Sequence, residues 1–393
     1  MRVLYLTYEN VFRTGILQAM VLKPLSLMSK KFGTEFVITS SVKGFENDDI
    51  YIKNKNNFSE ENIYVVEFSK KLTGKQSVFT FIKDIFPLVL FSIREARKCD
   101  VIHCRSYGGA MIGFVASFFS KKPFIFDMRG VLPEETVEVG KIKRESLKFK
   151  LLKRVEKTLI NKADCVVTVS NKFSEYIQDN FSPKKVVNTN NPTDFNMYGK
   201  EYSAHDKVNF IYSGSMQVWH EPEITIRYFS ELYKKFGDRI FFKFCTNDAG
   251  KAEDIFEKYS LPATSYEIIT AAFAEMPLHY SKSDIAFCFA KNSFSRSVCF
   301  PVKFSEYIAS GLFVLGNRGI GDISDIINRY KCGVSFDDLE NVSGNIGTIS
   351  EVVNSMLDNS YKNYDRNALS FLDWNDEGVD NIHNIYKIIT SKR

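Results

Sequence analysis

Short β-branched and aromatic runs alternate with amphipathic stretches along the whole 393-residue chain. No other feature limits the possible folds as much. Strand patterns fall at residues 3–7, 35–39, 63–68, 101–104, 123–126, 165–169 and 185–188, and again at 208–212, 240–245, 266–270, 285–289, 313–315 and 333–336. Helical patterns separate the earlier ones at 15–31, 77–98, 110–120, 141–161 and 172–179. Alternation on this scale calls for parallel sheets with helices on both faces. It breaks at Asn188-Thr-Asn-Asn-Pro-Thr-Asp194, followed by Gly199 and a charged stretch, all turn formers without periodicity. A linker is expected there. The reading is α/β: two doubly wound domains, residues 1–190 and 191–371, facing a cleft lined by the carboxyl ends of their strands.

Composition narrows the function classes. The chain is 44% hydrophobic and 25% charged, which is ordinary for globular domains. A net charge of +5 is too mild to imply nucleic acid as a partner. The seven cysteines are scattered and mostly sit in apolar runs, as buried free thiols in a reducing compartment do. The first residues turn polar too soon for a signal peptide, and the most apolar window, 78–93, is interrupted by Lys83, Asp84 and Pro87. The expectation is a cytoplasmic protein.

Chemistry concentrates in residues 301–322. Pro301 opens a helix with Phe304, Tyr307 and Ile308 on one apolar face; Gly311 stops it, Leu312 to Leu315 read as a buried strand, and a loop with Gly316, Gly319 and Gly321 follows. The helix opening therefore carries a cation, Lys303, and a carboxylate, Glu306. Helix N-termini attract phosphates, and a carboxylate one turn in accepts hydrogen bonds from sugar hydroxyls. The bland alternative is a solvated pair on a helix surface. Gly214 and Ser215 end the strand 208–212, where small residues allow backbone to approach phosphate, or simply form a tight turn. His220 either donates to phosphate or caps the helix beginning near Pro222.

In the first half, His103 and Arg105 close the strand 101–104 at a spacing of two and so share one face. Asp127 and Arg129 alternate in the same way and are expected to pair. Residues 141–157 hold eight basic residues against two acidic ones, with Leu147, Leu151, Val155 and Leu159 as an apolar stripe at spacing four. The stripe is expected to face the core. The charges suit an anionic membrane surface.

With these residues placed, the chain resembles a retaining GT-B glycosyltransferase of glycosyltransferase family 4, in its bacterial surface-polysaccharide branch. The resemblance runs through Pro301-Val-Lys-Phe-Ser-Glu-Tyr-Ile-Ala-Ser-Gly311, Tyr212-Ser-Gly-Ser-Met-Gln-Val-Trp-His-Glu221, Asp100-Val-Ile-His-Cys-Arg-Ser106, Phe126-Asp-Met-Arg-Gly130 and Ala163-Asp-Cys-Val-Val-Thr-Val-Ser170. It implies two Rossmann-like domains and a final helix, 372–393, that crosses back to the first. It implies transfer, with retention, of a sugar from a nucleotide sugar to a glycan or lipid-linked acceptor. Donor-binding roles would fall to Gly15, Gly214, Ser215, His220, Arg296, Lys303 and Glu306, and catalytic contacts to His103 and Arg105. Arg13, Thr14 and Gly15 also read as a plain turn. The chain departs from the family pattern in three places. Val298 stands where a glutamate is usual, eight residues before Glu306. Trp219 and His220 occupy a loop that usually carries an Arg and a Lys, so Arg296 is expected to meet phosphate charge instead. His103-Cys-Arg105 replaces a His-x-His. No strand-end Asp-x-Asp is present, so no obligatory metal and no cofactor beyond the donor substrate are expected. The alternatives are a nucleotide-sugar epimerase of the same fold and a non-catalytic sugar-nucleotide-binding subunit. Acceptor dependence and donor turnover discriminate among the three.

Overall fold

The computed structural model describes residues 1–13, 15–42, 47–68, 78–199 and 207–391. Thirteen strands form two all-parallel sheets among the described residues. The first contains β1 (Arg2–Leu6), β2 (Glu35–Ser41), β3 (Ile63–Phe68), β4 (Val101–Arg105), β5 (Phe124–Asp127), β6 (Cys165–Thr168) and β7 (Val186–Asn188), in the order β3-β2-β1-β4-β5-β6-β7. The second contains β8 (Val208–Ser213), β9 (Ile240–Cys245), β10 (Tyr266–Ile269), β11 (Ile285–Cys288), β12 (Phe313–Asn317) and β13 (Gly333–Phe336), in the order β10-β9-β8-β11-β12-β13. Strands buried on both faces read as continuous apolar runs: β4, β5, β6, β11 and β12 are buried at every residue. The expected α/β, doubly wound architecture is the observed one.

Two compact units result: residues 1–190 with 374–393, and residues 191–373. In each sheet the strand order reverses once, between β1 and β4 and between β8 and β11. Helices on either side of such a reversal leave in opposite directions, and this opens a crevice beyond the strand ends. In unit 1 the closing helix, Val379–Thr390, buries Ile382, Ile385, Tyr386 and Ile389. It packs on the helix Lys23–Phe32, where His383 stacks on Phe32 at 3.8 Å between ring centroids.

The two units divide at residues 190 and 191, inside the segment expected as a linker. Residues 191–195 are buried, Asn191 Nδ2 donates to the Phe300 carbonyl at 2.5 Å, and Ser305 Oγ donates to the Asn191 carbonyl at 2.7 Å. Turn-forming residues break periodicity, but here side chains of unit 2 satisfy the backbone that periodicity would have satisfied. One local expectation, on the basic helix, is corrected. The helix begins at Leu147, not at 141; Ser146 caps it by accepting from the Phe149 N–H at 3.2 Å. Its core face is Phe149, Glu156, Leu159 and Ile160. Leu147 is 83% exposed and Leu151 62%, whereas Leu159 is buried, so only the end of the stripe at spacing four faces inward. Residues four apart rotate by about 40° at each step, so over twelve residues the stripe turns from solvent into the core. Thr14 and the charged stretch 200–206 lie outside the described residues. No helix among the described residues is long and apolar enough to cross a membrane.

Candidate functional site

Two groups of polar side chains lie at the carboxyl ends of the strands, one in each unit. In unit 2, Ser213 ends β8, and its Oγ lies 2.8 Å from the Tyr280 hydroxyl and 3.1 Å from the Tyr307 hydroxyl. The Ser213 N–H donates to the Tyr307 oxygen at 3.0 Å. Tyr212, one residue earlier, donates its hydroxyl to the Ser215 carbonyl at 2.9 Å, tying down the turn. A Cβ on Gly214 would come within 2.9 Å of that hydroxyl, so the turn is built around the missing side chain.

Next to the turn, the helix Val302–Ala309 starts at Pro301, whose extended backbone suits the helix-capping position. Glu306 is buried on its inner face, and Tyr280 donates to Glu306 Oε2 at 3.0 Å. Tyr198 packs against Tyr280 at 6.1 Å between ring centroids, and its hydroxyl lies toward the same carboxylate. Burial raises the Glu306 carboxyl to about 7, outweighing the opposite pulls of the Tyr280 hydroxyl and the Lys303 charge. The Lys303 stem is partly exposed, but Nζ is shut off from water. Nζ sits 4.6 Å from the centroid of the Tyr212 ring and makes no hydrogen bond to the described residues. Burial lowers its pKa.

His220 lies on the short turn Val218–His220 that follows the Gly214 loop. The Trp219 carbonyl accepts from the Lys291 N–H at 3.1 Å, which holds that turn against the loop after β11. Burial, reinforced by the charges of Lys303 and Arg296, pushes the His220 pKa down to about 3. Its imidazole is therefore neutral at physiological pH, with one ring N–H to donate. Arg296 lies on the short helix Phe294–Ser297, where its Nε donates to Ser295 Oγ at 3.2 Å and its carbonyl accepts from Gly321 N–H at 3.1 Å. The structure thus brings Gly214, Ser215, His220, Arg296, Lys303 and Glu306 into one unit, with the charges of Lys303 and Arg296 both acting on His220.

In unit 1 the cluster centres on Asp127, fully buried at the end of β5. Arg129 Nη2 donates to Asp127 Oδ2 at 2.6 Å, the pairing expected from their alternation. His103 Nε2 lies 3.3 Å from the same oxygen, and Arg105 Nη1 lies 4.0 Å away. Burial alone would raise the Asp127 carboxyl; Arg129, His103 and Arg105 outweigh it and hold it below the usual range. His103 is buried too, and its Nδ1 is 2.7 Å from the Tyr386 hydroxyl. Burial lowers the His103 pKa against the pull of Asp127, so the ring is neutral. Arg105 donates its Nε to Glu9 at 3.1 Å, while its buried Nη1 has no hydrogen-bond partner among the described residues. Gly15 opens the helix Gly15–Leu17 beyond the end of β1 and takes no part in this hydrogen-bonded cluster.

Sequence reasoning missed Tyr198, Tyr280, Ser213 and Tyr386. Tyrosines are frequent in this chain, 19 in all, and no spacing marks these three. Among the described residues, no group of three or more His, Cys, Asp or Glu side chains is arranged to hold a metal ion.

A model described as Glycosyltransferase Family 4 matches residues 47–196. No curated protein sequence matches the chain. Among solved structures, Anabaena HepE in complex with UDP aligns with a TM-score of 0.69 at 14% identity, covering 100% of both chains. Sucrose-phosphate synthase from Thermosynechococcus elongatus aligns at 0.71 and 12%, again over 100% of both chains. The lipopolysaccharide outer core galactosyltransferase WaaB, in its apo form, aligns at 0.64 and 12%, with 100% coverage of both. At these identities the likeness is one of fold, and the fold is that of GT-B glycosyltransferases.

Proposed function

We propose that this chain is a retaining glycosyltransferase that moves a sugar, of hexosyl or related type, from a nucleoside-diphosphate sugar to a glycan or lipid-linked acceptor in bacterial surface-polysaccharide synthesis. One observation carries the reading: the Lys303 ammonium is shut off from water at the strand-order reversal of unit 2, over an aromatic face, with no carboxylate bonded to it among the described residues. A buried cation left without an anion is costly, and a bound diphosphate would relieve that cost. Two further features support this: the Glycosyltransferase Family 4 match over 47–196, and the UDP held by HepE, which shares the fold.

In this reading Lys303 and Arg296 meet the charge that grows on the leaving diphosphate. The amides of Gly214 and Ser215 and the neutral His220 add uncharged donors. Catalysis then rests on stabilising that charge more than on a strong base. Glu306, already holding the Tyr280 hydroxyl on Oε2, accepts from ribose hydroxyls. In unit 1, Arg105 keeps an unspent Nη1 for the transferring sugar or the acceptor, whereas His103 is committed to Tyr386 and Asp127 and positions the strand end.

The test is calorimetric titration with nucleoside diphosphates and their sugars, followed by transfer assays on the sugar that binds. Binding lost in Lys303→Ala with the fold intact supports the reading. Turnover of donor to an isomer without acceptor would assign an epimerase instead, and binding without any turnover would assign a non-catalytic subunit.

A further inference from the structure

The turn 139–146 and the helix Leu147–Lys162 carry a surface that nothing in donor chemistry uses. The inward arc of the helix is fully employed. Phe149, Leu159 and Ile160 are buried, and Glu156 is buried and ion-paired with Lys153. Lys153 also reaches Glu134 at 3.0 Å, and Tyr107 donates to Glu156 at 2.5 Å. The outward arc is the opposite. Leu147, Leu151, Arg154 and Thr158 follow one another at spacings of four, three and four and form one ridge. Leu147 is 83% exposed and Leu151 62%. Lys148, Lys150, Arg154 and Lys157 flank them, and Lys141, Lys143 and Arg144 precede them, all seven exposed. None of the seven forms an ion pair with the described residues. The same segment exposes one carboxylate, Glu145.

We propose that this face docks the protein on an anionic lipid bilayer, with Leu147 and Leu151 entering the headgroup–acyl boundary and the ring of cations meeting lipid phosphates. The proposal goes beyond the transferase reading and does not depend on it. The combination selects the occupant. A soluble polyanion would use the cations but has no place for two protruding leucines. A second copy of the chain would set seven like charges against seven across a two-fold interface. A bilayer with acidic headgroups satisfies both, because apolar side chains insert while lysine and arginine remain at the surface.

The experiment is co-sedimentation of the full chain with phosphatidylcholine vesicles and with phosphatidylcholine–phosphatidylglycerol vesicles. The wild type should pellet with the acidic vesicles only. The triple variant Lys148→Gln, Lys150→Gln, Arg154→Gln should lower the partition coefficient on the order of a hundredfold, three cations each contributing near the surface. The double variant Leu147→Ser, Leu151→Ser should lower it about tenfold or more. All substituted side chains are exposed, so melting temperature should hold, and donor-nucleotide affinity measured on the same samples reports separately on unit 2. Absence of vesicle binding by the wild type, or equal binding to both vesicle types, overturns the proposal. So does a leucine variant that binds acidic vesicles as the wild type does, which would mark the face as a site for a soluble polyanion.

Discussion

The hydroxyl of Tyr386 lies 2.7 Å from Nδ1 of His103, although 283 residues separate them. The pair joins the last helix to the end of β4, inside unit 1. With the ring proton on Nε2 toward Asp127, Nδ1 accepts from Tyr386. Tyr386→Phe keeps the ring and removes the donor, which leaves a buried imidazole nitrogen unsatisfied. Denaturant unfolding should show a loss of about 1–3 kcal/mol. An unchanged midpoint would mean the contact contributes nothing to stability.

Truncation tests the same junction on a larger scale. Removing residues 374–393 takes away Ile382, Ile385, Tyr386 and Ile389 together, all buried in unit 1. Large apolar residues cost about 2–5 kcal/mol each when emptied to alanine, so the loss exceeds the margin of an ordinary domain. Calorimetric scanning should show the unit 1 transition shifted down or abolished and transfer lost. A truncated chain that melts and turns over normally would refute this.

Phosphate charge supplies a further prediction. Lys303→Ala and Arg296→Ala should each weaken nucleoside-diphosphate binding by about 1.5–3 kcal/mol, as expected for hydrogen bonds to charged groups. A loss confined to Lys303 would make Arg296 a structural residue of its turn.

Glu306 sets a pH dependence. Its folded-state value, about 7, lies above the ordinary 4.5. Between those values the folded protein holds a proton that the unfolded chain has released, so this group's contribution to stability falls as pH rises from 4.5 to 7. The full span is roughly 3 kcal/mol. Glu306→Gln should remove that slope, and the difference in unfolding free energy between wild type and variant, measured from pH 5 to 8, should shift in the variant's favour as pH rises. A constant difference would show that the carboxyl ionises normally.

Metal independence is the last prediction. In the proposed reading, Lys303 and Arg296 neutralise the diphosphate, the task a metal ion would otherwise perform. Transfer should survive EDTA. Abolition by chelation with recovery on adding magnesium or manganese would contradict it.

Much of this was legible along the chain. Strand–helix alternation is a local pattern, and it indicated both parallel sheets; β12 merely runs on to Asn317, past the expected end at 315. Lys303 and Glu306 were legible because the helix and the glycine that stops it are contiguous. Tyr198 and Tyr280 around Glu306, and Tyr386 on His103, were not legible. Each pairing closes a long loop, and nothing in the residues beside a tyrosine records what its hydroxyl will meet. The helix Leu147–Lys162 shows the limit most plainly. Its residues determined that a basic amphipathic helix would form. Which arc faced inward was decided by the tertiary structure, because Glu156, although charged, finds Lys153 and Tyr107 inside. A paired carboxylate can be buried while a leucine is left in water, and only the folded neighbours determine which.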